Sequence, residues 1–183
     1  AMDIGSSTGG FTDCMLQEKA SKVYAVDVGY GQLDWSLRQD PRVVVMERTN
    51  IRNIIKDDIE DDLDFVSIDV SFISLKLVLP VAKSLMKDKA ELIALIKPQF
   101  EAGREKVGKN GIVREKKTHK EVIRTIVDYL CEIGLGPRQI SYSPITGAKG
   151  NIEFLVHAVK KGDCLVDDEI INNIVNLAHD TLR

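Results

Sequence analysis

A glycine-rich segment near the start of the chain has residue types and spacing that could bind a nucleotide-like ligand. Asp3 precedes Gly5, and Gly9 and Gly10 follow after three other residues. A short apolar strand that runs into a glycine turn and then a helix directs backbone N–H groups towards a ligand. The segment is therefore a candidate ligand-binding turn.

Two common phosphate-binding forms of this turn are excluded by single residues. The nicotinamide fingerprint GxGxxG would need glycine at position 7, where Ser7 stands, and a P-loop would need lysine at position 11, where Phe11 stands. An acid before the turn fits S-adenosylmethionine instead, because the methionine ammonium of that cofactor needs an anion and the cofactor carries no phosphate. The contacts predicted in this segment are Asp3, Gly5, Ser6, Ser7, Gly9 and Gly10.

Two further positions could contact the nucleoside part of such a cofactor. Asp27 follows the second apolar run and precedes Val28, which we include in the same site. A carboxylate at the end of the second strand can accept hydrogen bonds from both ribose hydroxyls, although it could also cap a helix. Asn50 follows the third run and could contact the adenine edge or be an ordinary loop residue.

Short β-branched runs alternate with segments of helical period, which is typical of a parallel sheet covered by helices. The last two runs are joined by eight residues, too few for a helical crossover, so we expect these two strands to be antiparallel. The fold class predicted is α/β, a Rossmann-like seven-stranded, mostly parallel sheet with one antiparallel strand. The predicted strands are residues 2–4, 23–28, 43–46, 65–69, 92–96, 140–143 and 152–159.

Two helices have a clear apolar stripe. The first is predicted to begin at Thr118, with Glu121 completing a capping box, and to end at Gly134. The second lies in residues 161–183 and is predicted to pack on a domain formed by residues 1–160. Because the first strand has only three residues before its turn, we expect further structure to precede residue 1.

Three charged residues are predicted to meet at one edge of the sheet. Asp69 and Lys97 end two apolar strands, and Glu153 lies near the start of the reversed last strand. Ligands of open α/β sheets bind beyond the carboxyl ends of the strands, so these residues would face the glycine turn. Lys97 could accept a proton from a sugar hydroxyl while Asp69 and Glu153 orient it. The alternative is an Asp69–Lys97 ion pair with no catalytic role.

The composition restricts the partners. The chain carries a net charge of −3, which by itself disfavours nucleic acid, and it has no apolar run near the length of a membrane span. Cys14, Cys131 and Cys164 form no CxxC pair, so we interpret them as plain thiols in a reducing cytoplasm and predict no metal site.

Five motifs occur in an order that resembles the TlyA (hemolysin A) family, which is related to the FtsJ-type RNA 2′-O-methyltransferases. The resemblance covers roughly residues 2–160. It implies a Rossmann-like methyltransferase fold and methyl transfer from S-adenosylmethionine to a cytidine ribose 2′-hydroxyl in bacterial ribosomal RNA. The motifs are residues 3–13, 24–33, 67–75, 96–104 and 150–153.

The resemblance also implies roles for individual residues. Asp69, Lys97 and Glu153 match the last three members of a Lys-Asp-Lys-Glu catalytic tetrad. The first lysine and a small RNA-binding domain would precede residue 1, so the chain is interpreted as the catalytic part of a longer protein. The cofactor contacts implied by the match are Gly9, Phe11, Asp27, Asn50 and Asp69.

Residues 97–117 contain seven basic and three acidic residues, a local net charge of +4 in an acidic chain. Beside the predicted site, such a segment could clamp RNA phosphates through Lys106 and Arg114, or it could be a solvated loop. The partner predicted is ribosomal RNA or a ribosomal subunit. The alternatives are a non-catalytic RNA-associated or hemolysin-like module and an NAD-dependent oxidoreductase, which Ser7 disfavours.

Overall fold

Seven strands form one mixed sheet in the computed structural model of the protein, which describes residues 1–182. The strand order is β3-β2-β1-β4-β5-β7-β6. The strands are β1 (Met2–Ile4), β2 (Val23–Val26), β3 (Val43–Met46), β4 (Leu63–Ile68), β5 (Met86–Ile96), β6 (Leu135–Tyr142) and β7 (Phe154–Lys160). The α-helices are α1 (Gly10–Gln17), α2 (Trp35–Gln39), α3 (Leu75–Leu85), α4 (Pro98–Glu101), α5 (Lys116–Glu132) and α6 (Asp168–Leu182).

The predicted fold class is confirmed. Strands β1 to β5 pair in parallel, and β7 is antiparallel to both β5 and β6. Ile96, the last residue of β5, pairs with Phe154, the first residue of β7. This register places the residue before β7 at the same sheet edge as the residue after β5.

Three strands, β4, β5 and β6, begin earlier than the apolar pattern predicts, β4 by only two residues. β5 begins at Met86. The apolar pattern misses its first half because most of those residues are exposed and form no apolar run. β6 begins at Leu135 and includes Gly136 and Pro137, residues that indicate a strand end in a sequence. Since β6 is one of the two edge strands of the sheet, Pro137 can be accommodated without loss of a ladder hydrogen bond.

Apolar side chains alternate between the two faces of the sheet and form two clusters. On one face, Val23 and Ala25 pack with Met15 and Leu16 of α1. The other face carries the larger cluster, in which α3, α5 and α6 cover the strands. From α6, the residues in this cluster are Ile171, Val175 and Ala178.

The predicted capping box of α5 is wrong. The helix begins at Lys116 with Glu115 as its N-cap, so Thr118 lies within the first turn and is buried. Glu121 forms an ion pair with Lys106 at 2.5 Å instead of capping the backbone. The predicted end is confirmed, because Gly134 follows the C-cap with a φ of 77°.

The expectation of three plain thiols is also wrong. Cys131 and Cys164 form a disulfide with their Cα atoms 6.0 Å apart, whereas Cys14 is free and exposed. The return of β7 beside β6 brings these cysteines together, as the hydrogen bond from the Lys161 amide to the Gly134 carbonyl shows (2.9 Å). The cysteines therefore no longer support the inference of a reducing compartment.

None of the helices in residues 1–182 is long and apolar enough to span a bilayer.

Candidate ligand cleft and catalytic edge

Two positions of the turn after β1 require glycine. Gly5 has a φ of 82°, and a Cβ there would lie 2.1 Å from the Asp69 carbonyl oxygen. Gly9 has a φ of 102°, and its Cβ would lie 2.3 Å from a methyl of Leu37. Both residues adopt a conformation that side chains disfavour, and both contact other elements closely. The two glycines thus allow the turn to pack closely against the segments that follow β4 and β2.

Asp3 lies beneath this turn and is fully buried. One carboxylate oxygen accepts from the Thr12 amide (2.9 Å) and hydroxyl (2.8 Å), and the other accepts from the Ser67 hydroxyl (3.0 Å). Burial raises the pKa of the Asp3 carboxyl, and these hydrogen bonds oppose the rise. Asp3 therefore ties α1 to β1 and β4, while its predicted contact with a methionine ammonium stays a prediction.

A cleft of about 460 Å³ opens between the turn and the ends of β2, β3 and β4. This volume lies within the roughly 300–1,000 Å³ usual for small-molecule sites. Ser6, Gly9, Gly10 and Phe11 do not line the cleft, and Phe11 packs against the smaller core cluster. The predicted cofactor contacts that do line it are Gly5, Ser7, Asp27, Val28, Asn50 and Asp69.

Asp27 links the turn to the end of β2. Its carboxylate accepts hydrogen bonds from the Ser7 amide (2.8 Å) and the Gly29 amide (2.7 Å). An ionised carboxylate has about four acceptor positions, so Asp27 can still accept from two ribose hydroxyls. Asn50 accepts from the Arg52 amide (3.0 Å) and caps a short 3₁₀ helix while lining the cleft.

The structure brings Asp69 and Lys97 into direct contact. The Lys97 ammonium lies 2.5 Å from an Asp69 carboxylate oxygen and donates to the Ser71 hydroxyl at 3.2 Å. Only 12% of the Lys97 side chain is exposed, against 35% for Asp69. Asp69 also lines the cleft, so one carboxylate joins the ligand cleft to the lysine.

Glu153 lies at the same edge but contacts a different residue. Its side chain is nearly buried, with 8% exposed, and accepts a hydrogen bond from the side-chain amide of Gln99 at 2.8 Å. Gln99 belongs to α4, which begins directly after Lys97. Glu153 is thus connected to the lysine through the first turn of α4. Ser71 and Gln99 were not predicted as site residues, although both lie within the matched motifs.

An exposed aromatic side chain beside the cleft was also not predicted. Phe72 is 90% exposed, has a φ of 63° and lines the cleft. Its ring lies 4.8 Å from that of Phe100. A bulky residue in this backbone region costs about 1–3 kcal/mol, and such residues cluster at functional sites. No pattern in the sequence distinguishes Phe72 from a core aromatic residue.

Several cations of the basic segment form ion pairs within the protein, and the predicted clamp stays a prediction. Lys106 and Lys117 contact Glu121, Lys116 pairs with Asp180, and Arg114 also interacts with another residue.

Arg104 and Lys109 are exposed and form no ion pair with any residue from 1 to 182. Arg104 lines a groove of about 340 Å³ that includes Gln99 and Phe100. Within residues 97–117, Arg104 and Lys109 are therefore exposed cations without an ion pair to the described residues, whereas Lys106 pairs with Glu121.

No group of three potential metal ligands among His, Cys, Asp and Glu occurs in the described part of the chain.

Residues 1–160 match the FtsJ-like methyltransferase family. YqxC of Bacillus subtilis, named as a candidate rRNA methyltransferase, is 52% identical over 188 aligned positions, which cover 100% of this chain and 66% of YqxC. TlyA of Mycobacterium tuberculosis, named 16S/23S rRNA (cytidine-2′-O)-methyltransferase, is 43% identical over 155 residues, which cover 85% of this chain and 58% of TlyA. This chain therefore spans two thirds or less of these relatives.

Solved structures agree with this result. A candidate hemolysin from Streptococcus thermophilus superposes with a TM-score of 0.94 at 49% identity, covering 98% of this chain and 66% of that one. A candidate S-adenosylmethionine-dependent methyltransferase from Listeria monocytogenes superposes with a TM-score of 0.63 at 18% identity, covering 88% of this chain and 90% of that one. The second similarity shows a common fold alone.

Proposed function

Because this chain belongs to the FtsJ-like methyltransferase family, we propose that it methylates the ribose 2′-hydroxyl of a cytidine in ribosomal RNA, with S-adenosylmethionine as methyl donor. The observation that carries the proposal is the position of Asp69, which lines the ligand cleft and contacts Lys97 at 2.5 Å. A ligand in the cleft would thus lie next to a lysine whose amine can accept a proton. We further propose that residues 1–160 form the methyltransferase domain and that α6 packs on it.

The residues of the cleft fit the cofactor. Gly5 and Asp27 both line the cleft, and Asp27 retains acceptor positions for two ribose hydroxyls. Val28, Ile51 and Val70 offer apolar contacts for an adenine ring. When bound, S-adenosylmethionine supplies an electrophilic methyl group.

The residues of the catalytic edge position the acceptor and move its proton. Once its ammonium has given up a proton, the neutral amine of Lys97 accepts the proton of the 2′-hydroxyl while the oxygen gains the methyl group and the sulfur–methyl bond breaks, which leaves S-adenosylhomocysteine as the second product. Asp69 and Ser71 hold the amine in place, and Glu153 with Gln99 borders the acceptor. The exposed ring of Phe72 offers a stacking surface for an unstacked base. Positioning of this kind supplies much of the rate acceleration in group transfer.

Two measurements test the proposed function. Calorimetric titration of the intact protein should show binding of S-adenosylmethionine and none of NADH. Incubation with unmethylated ribosomal subunits and labelled cofactor should then place the label on a cytidine 2′-oxygen, which mass spectrometry of the nucleosides identifies. Label on a base would contradict the assignment, and binding of neither ligand would favour a non-catalytic RNA-associated module.

Removal of positive charge at the groove lined by Arg104 tests whether RNA binds there. We expect the double substitution Arg104→Ala and Lys109→Ala to weaken RNA binding and to flatten its salt dependence. Each lost phosphate contact lowers the slope of log K against log salt by about 1. The readout is the affinity for ribosomal RNA over a range of salt concentrations.

Ribosomal RNA as the substrate is consistent with the predicted cytoplasmic location.

A matched control removes the same charge elsewhere. Lys87 and Lys89 lie in the first half of β5, at the sheet edge opposite the cleft. Their double substitution by alanine should leave the salt slope unchanged. Equal slopes for the groove variant and the unmodified protein would exclude Arg104 and Lys109 as phosphate contacts.

A further inference from the structure

The carboxylate of Glu153 lies directly against the backbone of Gly147. A Cβ built on Gly147 would be 2.1 Å from Glu153 Oε1, 2.4 Å from its Cδ and 3.0 Å from Oε2. Real Cβ atoms essentially never approach other atoms so closely. Any side chain at position 147 therefore competes with the carboxylate for the same space.

The backbone at Gly147 does not itself require glycine. Its φ of −75° and ψ of −166° are extended values that any residue adopts. In this respect Gly147 differs from Gly150 in the same loop, which has a φ of 85° and no atom near its Cβ position. The requirement for glycine at position 147 thus comes from Glu153 and not from the turn.

The loop that carries Gly147 is firmly attached to its surroundings. Asn151 is 2% exposed, and its amide group donates to the carbonyls of Gly111 (2.9 Å) and Ala148 (3.0 Å). Its side-chain oxygen accepts from the Val113 amide at 3.0 Å. The Gly147 amide in turn donates to the Asn151 carbonyl at 2.8 Å. A buried side chain with this many partners keeps the loop in place.

The carboxylate is held less firmly than the loop. Among residues 1–182, its hydrogen-bond donor is the Gln99 amide at 2.8 Å. The Glu153 side chain has rotatable bonds, whereas displacement of the loop would break the hydrogen bonds of Asn151. A methyl group at position 147 is therefore expected to move the carboxylate and leave the loop where it is.

From these contacts we propose that Gly147 is a positioning residue for methyl transfer, because its bare backbone sets where the Glu153 carboxylate lies at the catalytic edge. The inference rests on the proposed function, in which Glu153 borders the acceptor ribose. Its physical basis is the sensitivity of group transfer to geometry, since a displacement of about 1 Å can cost about 100-fold in rate.

The test is Gly147→Ala in the intact protein. We expect kcat for ribosomal RNA methylation to fall about 10- to 100-fold, while the KM values and the calorimetric affinity for S-adenosylmethionine stay within about two-fold. Ala148→Ser enlarges the next residue, whose side chain is exposed, and should retain the kcat of the unmodified protein. An unchanged kcat in Gly147→Ala would overturn the inference and leave the proposed function intact.

A double-mutant cycle separates positioning from a general effect on structure. In a Glu153→Ala background there is no carboxylate to displace, so Gly147→Ala should cause no further loss of kcat. Additive losses would overturn the inference. If Gly147→Ala alone fails to fold, the Glu153→Ala background should restore folding, and failure of the double variant to fold would count against the inference.

A structural readout remains if the unmodified protein transfers no methyl group, a result that would refute the proposed function. Crystal structures of the unmodified protein and of Gly147→Ala would then be compared at Glu153. Loss of the Gln99–Glu153 hydrogen bond supports the role of Gly147 in placing the carboxylate. An unmoved carboxylate overturns it whatever the activity.

Discussion

Replacement of Lys97 by alanine is expected to reduce methyl transfer by about 10²- to 10⁴-fold, the range attributed to a general base. The substitution removes the amine that lies 2.5 Å from Asp69 and 3.2 Å from the Ser71 hydroxyl. Asp69 remains one-third exposed and can be hydrated, so the cleft should keep its shape. The affinity for S-adenosylmethionine is therefore expected to change by no more than a few-fold, as measured by calorimetry beside single-turnover methylation.

A second substitution separates proton transfer from charge. Lys97→Arg keeps a cation beside Asp69, but the guanidinium stays protonated and cannot accept a proton. It should be as inactive as Lys97→Ala if Lys97 is the base. Lys87→Ala, which removes a lysine paired with Asp64 at 2.9 Å far from the cleft, is the control and should retain turnover. Turnover near the unmodified rate in Lys97→Ala would remove the lysine from the mechanism.

Replacement of Gly5 by alanine should abolish binding of S-adenosylmethionine, with an affinity loss of at least about 100-fold, or roughly 2.7 kcal/mol. The new methyl group would meet the Asp69 carbonyl at 2.1 Å, and a φ of 82° is unfavourable for alanine. Neither the turn nor the segment after β4 can yield without moving the cleft walls. Because the same clash displaces Asp69, methyl transfer should be lost as well.

The control for Gly5→Ala has the same backbone strain without the clash. Gly134 has a φ of 77°, and its nearest neighbour would lie 3.6 Å from a new Cβ. Gly134→Ala should lower the free energy of unfolding by about 1 kcal/mol and leave cofactor affinity unchanged. Calorimetry and thermal unfolding of both variants make the comparison. A Gly5→Ala variant that binds the cofactor normally would show that the close contact with Asp69 is not needed for the site.

Much of the fold and part of the site could be predicted from the residues alone. Strand periodicity is a local property, and the eight residues between the last two predicted strands are too few for a crossover, so the reversal of β7 followed directly. The predicted strand directions then placed Asp69, Lys97 and Glu153 at one edge, where ligands of open α/β sheets bind. The register of Ile96 with Phe154 agrees with that placement.

Other features depend on contacts between distant parts of the chain, which no local pattern encodes. Lys106 forms an ion pair with Glu121, and Cys131 meets Cys164 only because β6 and β7 lie side by side. Asp3 accepts hydrogen bonds from Thr12 and Ser67, so the acid that the pattern assigns to the ligand also holds the turn in place.

Residue type and spacing in the sequence therefore determined the fold class and the sheet edge at which Asp69, Lys97 and Glu153 lie. The tertiary structure alone decided which charged side chains at that edge remain without an ion pair and which glycine backbone packs against Glu153. Strand direction follows from local periodicity and linker length, whereas ion pairing and close packing depend on side chains that meet only after folding. Gly147 shows the difference, because its backbone accepts any residue and only the folded position of Glu153 makes a side chain there compete with the carboxylate.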